Sequence, residues 1–226
     1  MKTLASLLMS LLFASTACGA GTRADIDGVW LFNGAQIPED PGLTAAGRKK
    51  LEQYDPLRDD SDTICKPVTF TNIMHTPSPP IEIRHRENHV EMNYEFMDVR
   101  RRVPLDGTLA NAPPTVADHP HMGRSVGRYE GEELIVDTVG VEAGYLDTLG
   151  FAGLPQSAEM RTEERFQAVD DRLTVVVTHY DPVYYEKPMV VTYEFVRVDT
   201  DIMEWGCTLE GANYEERLEA AEPEER

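Results

Sequence analysis

One stretch of the sequence, residues 123–139 (GRSVGRYEGEELIVDTV), constrains the fold more than any other. It holds two β-rich runs, 125–129 and 134–139, which are separated by the short acidic turn Glu130-Gly131-Glu132. In the second run, successive side chains fall on opposite faces, as they do along a strand. A Gly-containing turn between two such runs predicts a β-hairpin.

The same stretch fits the pattern G-x-S-x-G through Gly123, Ser125 and Gly127. In α/β-hydrolases this pattern exposes a nucleophilic Ser, because a strand turns sharply into a helix at that point. Here the Ser is followed by more strand and by a hairpin turn, with no helical pattern within reach. The sequence therefore predicts that Ser125 is an ordinary strand residue and not a nucleophile.

Strand patterns fill most of the chain after residue 80. Alternating or apolar runs occupy residues 81–86, 90–96, 160–169, 173–179, 189–198 and 202–209. With the central hairpin, these runs predict about eight antiparallel strands in a single barrel or a β-sandwich. The Gly28-x-Trp30 opening resembles the first-strand signature of lipocalin-like barrels, and it favours the closed barrel.

Helical patterns are few. Residues 44–54 predict one short N-terminal helix, with Thr44 as the N-cap and a stop before Pro56. Residues 55–80 are punctuated by prolines, and residues 140–157 lack a regular pattern, so both segments predict loops.

The first 17 residues are typical of a secretory signal peptide, with Lys2 followed by an apolar run and then by small residues. Beyond it we expect a linker (18–24), one β-barrel domain (25–209) and an acidic C-terminal tail (210–226) with a short helix. The segment before Cys18 resembles the lipobox at which bacterial lipoproteins are cut and acylated; ordinary cleavage near Ala17 or Ala20 is the alternative. Both predict a periplasmic or secreted protein, held at a membrane only if Cys18 carries a lipid.

The net charge of the chain limits the classes of molecule that it is expected to bind. The formal net charge is −19, and it becomes about −20 without the leader, whose only charged side chain is Lys2. Such an acidic protein does not favour nucleic acid or anionic membrane surfaces. The sequence has no Gly-rich phosphate loop and no cofactor motif, so we expect no cofactor. It leaves the oligomeric state open.

Three cysteines are present, and Cys18 belongs to the leader region. If Cys18 is acylated or removed, Cys65 and Cys207 remain as an even pair in an oxidising compartment, which favours a disulfide between them. Two buried free thiols are the alternative.

Several motifs resemble those of a family of largely uncharacterised secreted bacterial proteins, whose hairpin has the form G-x-S-x-G-x-W-E-G-D-T-L-V-V-D-T. Matching segments here are residues 123–138, the run LTAAGRKKLEQYDP at 43–56, Cys65-Lys66-Pro67, Arg100-Arg101 before the Asp106-Gly107 turn, and Glu164-Arg165-Phe166. The resemblance covers most of the chain after the leader and implies fold and export only.

The chain departs from that family pattern at three places. Tyr129 stands where Trp is expected, Glu132-Glu133 where Asp-Thr is expected, and Gln156 where the family has His in a P-H-S triplet. Chemistry that would depend on that His is therefore not carried over.

Arg100, Arg101 and Arg102 are consecutive, so strand alternation turns at least one of them toward the barrel interior. A buried Arg needs a carboxylate, which Glu163 or Glu164 could supply. Such a pair either fixes the strand register or leaves Arg101 to anchor an anionic or carbonyl group of a ligand.

Tyr94 and His179 share the apolar faces of their strands, so both are predicted to point inward. We take them, with Arg101, as candidate ligand contacts. His179 is also a candidate general base, because the ordinary pKa of His lies near neutrality.

The loop before the central hairpin carries His119 and His121 beside Asp118. Two His residues alone do not make a zinc site, so solvated loop histidines are the favoured interpretation and no metal is expected. Asp147 lies in a later loop, where it is either a turn residue or a functional carboxylate.

Two functional hypotheses follow. The first is an exported small-ligand-binding barrel for a mainly apolar molecule with an anionic or carbonyl group. The second is a cofactor-free isomerase, lyase or hydrolase with a His/Asp/Arg site at the barrel mouth, which uses His121 or His179 with Asp147 and an Arg. Clustering of His121, Asp147 and His179 favours the enzyme, and an apolar pocket with dispersed polar residues favours the binder.

Overall fold

A computed structural model describes residues 25–66, 70–74, 80–148 and 151–211. The strands are β1 Gly28–Gln36, β2 Ile81–His85, β3 His89–Tyr94, β4 Val99–Pro104, β5 Met122–Glu130, β6 Glu133–Val141, β7 Gly144–Thr148, β8 Phe151–Gln156, β9 Arg161–Val169, β10 Arg172–Tyr180 and β11 Met189–Val198. The helices are α1 Ala45–Leu51, α2 Pro56–Asp59, α3 Ser61–Ile64 and α4 Phe70–Met74.

Nine of these strands form one antiparallel sheet in the order β4-β3-β2-β1-β11-β10-β9-β6-β5. The sheet curls until its edge strands β4 and β5 meet. There, the N–H of Arg102 donates to the carbonyl of Thr115 (2.8 Å), and the N–H of Thr115 donates to the carbonyl of Gly123 (2.9 Å). One loop residue thus bridges the two edges. The protein is mainly β and forms a nearly closed antiparallel barrel, as the sequence predicts, and not a sandwich.

The predicted central hairpin is β5–β6, and it is slightly longer than its pattern indicates. Ser125 pairs with Thr138, and Glu130 pairs with Glu133 across the turn. Gly123 has φ = 85°, and a Cβ added there would lie 2.5 Å from the carbonyl oxygen of Val139. The first Gly of the G-x-S-x-G pattern is therefore needed for close strand approach.

The predicted N-terminal helix is α1, and the Thr44 hydroxyl caps it by accepting from the N–H of Gly47 (3.0 Å). The prediction of a plain loop for residues 55–80 is wrong, because α2, α3 and α4 lie there. Pro56 begins α2 after the N-cap Asp55, and Asp60 caps α3. Proline is tolerated in the first turn of a helix, so this Pro marks a helix start.

Two further predictions need correction. Residues 140–157 are not an irregular loop, because β7 and β8 form a separate two-stranded hairpin there. Residues 202–209 are not a strand. Among the described residues they form one isolated bridge, between Phe96 and Trp205, whose rings stack at 4.9 Å. The predicted C-terminal helix falls on residues 212–226, outside the described residues.

The helices and the β7–β8 hairpin lie together beside one end of the barrel, which we call the covered end. There, the N–H of Thr44 donates to the carbonyl of Tyr184 (2.9 Å), and the hydroxyl of Tyr145 donates to the carbonyl of Lys50 (3.2 Å). Within the described residues, no helix has the length and apolar character that crossing a membrane would require.

The predicted disulfide is present. Cys65 follows α3 directly and is bonded to Cys207, 142 residues further along the chain. It ties the helical segment to the irregular segment after β11.

Candidate ligand site in the barrel interior

Arg101 lies inside the barrel, as strand alternation predicts, while its neighbours Arg100 and Arg102 face outward. Its guanidinium forms a bidentate salt bridge with the carboxylate of Glu164. One Nη donates to Oε1 at 2.9 Å, and the other donates to Oε2. Both residues are only 1% exposed. Of the two carboxylates considered from the sequence, Glu164 is therefore the partner.

A chain of hydroxyl groups extends this ion pair across the strands. The Nη2 of Arg101 also donates to Ser125 Oγ and to Thr138 Oγ1, each at 3.2 Å. Those two hydroxyls are 2.8 Å apart and bond to each other. The cluster therefore connects β4, β5, β6 and β9 through buried side chains.

Phe70 covers the cluster on the side of the helices. The guanidinium carbon of Arg101 lies 3.7 Å from the centre of the Phe70 ring, within the range of a cation–π interaction. The Tyr94 ring stacks against Phe70 with its centroid 5.9 Å away. The Tyr94 hydroxyl is 3.5 Å from Arg101 Nη1. Of the predicted ligand contacts, Arg101 and Tyr94 thus lie together.

The electrostatics of the cluster follow from burial and charge pairing. Burial opposes the charge on Arg101, but the adjacent Glu164 outweighs it and raises the pKa of Arg101 above its ordinary value. Burial raises the pKa of Tyr94 to about 12, with Arg101 acting in the opposite direction. At neutral pH Arg101 is therefore charged and Tyr94 is a neutral phenol.

A small cavity of about 20 Å³ lies beside Glu164. Its polar lining comes from Glu164, Thr138, Gln156 and Thr162, and Phe70 and Val177 contribute to its apolar lining. That volume holds about one water molecule. In this conformation Phe70 occupies the space next to the cluster.

Two polar atoms of this region lack a partner among the described residues: the Oε1 of Gln156 and the Nε of Arg101. Both residues are about 1% exposed. Buried polar atoms are rarely left unpaired, because each one costs about 1–3 kcal/mol. These atoms can therefore receive a ligand or an ordered water.

His179 is fully buried at the covered end of β10, on the predicted inward face. Its Nδ1 lies 3.3 Å from the carbonyl oxygen of Met189, and its Nε2 has no partner within the described part of the chain. Burial lowers the pKa of His179 to about 4, with the bond to Met189 opposing the shift. The ring is therefore neutral at pH 7, and it is a weak base.

The other two proposed catalytic residues also lie near the covered end. His121 precedes β5, and its carbonyl accepts from the N–H of Glu142 (2.8 Å). Asp147 is in β7 and not in a loop, and its side chain lies outside the described residues. Among the residues described, the His179 ring bonds only to Met189, so the structure joins His179 to neither of them.

The His119 and His121 rings are 5.5 Å apart, at nearly right angles. Burial, and then the nearby His121, lowers the pKa of His119. Across the residues that the structure describes, no group of three or more His, Cys, Asp or Glu side chains could hold a metal ion.

A second polar cluster lies at the opposite end of the barrel. The Nδ1 of His85 is 2.5 Å from the Asp27 carboxylate, and its Nε2 bonds to the hydroxyl of Tyr129. Alternation along β2 puts His85 on the same face as Ile81 and Ile83, but the sequence gives no sign of the other two partners. This cluster links β2 to β5 across the barrel mouth.

Sequence reasoning missed Phe70 and Gln156 as parts of the interior site. Phe70 lies in a segment whose prolines predict a loop, so the sequence assigns it no face. Gln156 stood out only as a departure from the family motif. Alternation along the second run of the hairpin puts Thr138 on the same face as Leu134 and Val136, and the structure shows that this face is buried.

No protein-family model matches the chain, and no curated protein matches it. The resemblance to secreted bacterial proteins therefore stays a prediction from the motifs. Among solved structures, the chain is similar to a mutant of the fluorescent protein UnaG, at 13% identity and a TM-score of 0.39, over 76% of this chain and 96% of that one.

It is also similar to apo lipid binding protein 8 of Caenorhabditis elegans, at 10% identity and a TM-score of 0.41, over 76% of this chain and 94% of that one. Likenesses this distant carry no information about what the present chain binds.

Proposed function

We propose that this protein is an exported small-ligand-binding barrel whose site is the interior beneath Phe70. The observation that carries the proposal is the buried Arg101–Glu164 cluster, which lies beside a cavity and is covered by one aromatic side chain from a helix outside the sheet. A buried ion pair is often no more stabilising than apolar residues of the same size, so its presence favours a role beyond packing.

The site would open by movement of Phe70. The present cavity of about 20 Å³ admits no ligand larger than water. Displacement of the Phe70 ring would leave a space of aromatic size against Tyr94 and the face of Arg101. The apolar part of a ligand would fill that space and replace the contacts of the ring.

The polar part of the ligand would be a carbonyl or carboxyl group. The Nε of Arg101 is a buried donor without a partner among the described residues, and an acceptor oxygen would satisfy it. Because Glu164 already balances the charge of Arg101, a neutral carbonyl enters at a lower desolvation cost than a carboxylate does. The ligand we propose is therefore mainly apolar with a carbonyl oxygen, and carboxylates are second.

We further propose that the chain is exported through its leader, and that Cys18 is the acylated residue if the protein is membrane-anchored. The Cys65–Cys207 disulfide supports an oxidising compartment.

The proposal is tested by thermal melting with four phenyl compounds of similar size: benzylacetone, hydrocinnamate, hydrocinnamamide and isopentylbenzene. A ligand at a hundred times its dissociation constant stabilises the folded state by about 2.7 kcal/mol, which raises the melting temperature by several degrees. We expect the carbonyl compounds to raise it more than the hydrocarbon does.

The Phe70→Ala variant is the internal control for the site. Removing the ring creates the space directly, so we expect it to bind the same compounds more tightly than the wild type, as engineered apolar cavities bind benzene. If no compound shifts the melting of either protein, the interior is not a ligand site and the proposal fails.

A further inference from the structure

The side chain of Gln156 has a fixed orientation in the interior. Its Nε2 donates to the carbonyl oxygen of Glu142 at 2.6 Å, which leaves Oε1 buried and unpartnered among the described residues. The reverse orientation would place two acceptor oxygens against each other. Gln156 therefore presents a hydrogen-bond acceptor, and its side chain lines the cavity.

The other polar groups of the cavity do not supply the donor that this oxygen needs. Glu164 is itself an acceptor, and both of its oxygens are held by Arg101. The Thr138 hydroxyl bonds to Arg101 and to Ser125. Thr162 has no hydrogen bond to Gln156 in the described part of the chain. No described group therefore donates to this oxygen, and a molecule in the cavity could supply the donor.

We propose that Gln156 is a specificity-determining residue, which selects ligands whose polar group carries an N–H or O–H donor beside the carbonyl. Primary amides and undissociated carboxylic acids have this pattern; ketones and esters do not. This inference depends on the proposed function, because it concerns the same site.

The size of the effect follows from the cost of an unpaired buried acceptor. A ketone in the site leaves the Oε1 of Gln156 unpaired, whereas an amide of the same shape donates to it. The difference of about 1–3 kcal/mol corresponds to roughly five- to hundredfold in the dissociation constant. An ordered water kept next to Gln156 would remove this difference, because it would donate in place of the ligand.

The test compares hydrocinnamamide with benzylacetone, which have the same shape except that NH₂ replaces CH₃. Dissociation constants are measured by titration calorimetry with the wild type, Gln156→Met, and Gln167→Met as the matched control. Gln167 is exposed on the outer face of β9, so its replacement leaves the interior unchanged. We expect the wild type and the control to prefer the amide by at least fivefold, and Gln156→Met to lose that preference.

The outcomes are distinct. If the amide and the ketone bind the wild type equally, Gln156 selects no donor and the inference fails, while the ligand site stands. An unchanged preference in Gln156→Met also overturns it, since another group then provides the selection. If neither compound binds the wild type or Phe70→Ala, the proposed function fails first. If Gln156→Met does not fold, the inference is decided by the ratio of the wild-type dissociation constants for the two compounds.

Discussion

Arg101 on β4 and Glu164 on β9 are bonded to each other inside the barrel, although β5 and β6 lie between their strands around the wall. The edge strands β4 and β5 meet where loop residue Thr115 bridges them through backbone hydrogen bonds. The side chain of Arg101 crosses that junction and bonds to Ser125 on β5 as well as to Glu164. The ion pair therefore helps to close the barrel as well as to line its interior.

Replacing either member of this ion pair alone should lower the free energy of unfolding. Arg101→Met leaves Glu164 buried without its partner, and Glu164→Met leaves Arg101 in the same state. We expect each single variant to lose about 3–5 kcal/mol of unfolding free energy, measured by urea denaturation. The double variant removes both charges, so its loss should be smaller than the sum by several kcal/mol.

Arg102→Met is the matched control for these variants, since Arg102 is exposed on the outer face of the same strand. It should change the unfolding free energy by less than about 0.5 kcal/mol. Additive losses in the Arg101 and Glu164 variants would mean that the two charges act independently.

Ser125 should not react as a nucleophile. It is fully buried, and its hydroxyl bonds to Thr138 and Arg101. A reactive Ser needs exposure and a neighbouring base, and neither is present among its described contacts. Intact-protein mass spectrometry should show no adduct after treatment with a fluorophosphonate probe. An adduct mapped to Ser125 would contradict its placement in the strand.

The period-two pattern was sufficient to predict the barrel and much of its interior. Alternation placed His179, Tyr94 and at least one of the three consecutive arginines inward, and the structure buries His179, Tyr94 and Arg101. This works because a strand turns every second side chain to the same face, so the lining of a barrel can be read locally. The sequence limits the partner of Arg101 to Glu163 or Glu164. Which of the two faces the barrel interior depends on the register of β9, and the structure shows that it is Glu164.

The covered end could not be predicted in the same way. Its helices are four to seven residues long, too short to show a helical period, and two of them are set by Asp N-caps. Phe70 reaches the interior from such a helix, so its role depends on tertiary packing. Gln156 ends β8, whose hairpin contains Gly153 and Pro155 and therefore has the composition of a loop.

The disulfide between Cys65 and Cys207 should stabilise the protein strongly. Its loop spans 142 residues, for which the chain-entropy estimate is about 5 kcal/mol. Cys207→Ser should therefore lose up to that amount of unfolding free energy in urea, and reductant should have a similar effect on the wild type.

The Cys18→Ser variant removes the cysteine of the leader region, so that a thiol assay reports only on Cys65 and Cys207. Protein with this change should show no thiol that reacts with Ellman's reagent under denaturing conditions, and its stability should equal that of the wild type. One or more moles of thiol per mole of protein would contradict the pairing.

His179 should make the stability of the protein depend on pH below neutrality. Burial lowers its pKa to about 4 in the folded protein, whereas the unfolded chain has the ordinary value of 6.5. Well above pH 6.5 the ring is neutral in both states, and His179 does not lower the free energy of unfolding. As the pH falls from 6.5 toward 4, the unfolded state takes up a proton that the folded state does not, so the unfolding free energy decreases by up to about 3 kcal/mol.

His179→Leu isolates this effect from that of the carboxylates, because it keeps an apolar side chain of similar size without the titrating ring. The free energy of unfolding of each protein is measured in urea at intervals from about pH 8 to pH 4, and the two curves are subtracted. We expect a difference that is constant above pH 6.5 and changes in favour of the variant below it. The same variant tests the catalytic hypothesis: a general base would lower turnover by about a hundredfold or more when lost, whereas a wall residue of a binding site would change only affinity. Parallel curves would mean that His179 takes up a proton as readily in the folded state as in the unfolded state. That result would contradict its assignment as a buried, neutral residue.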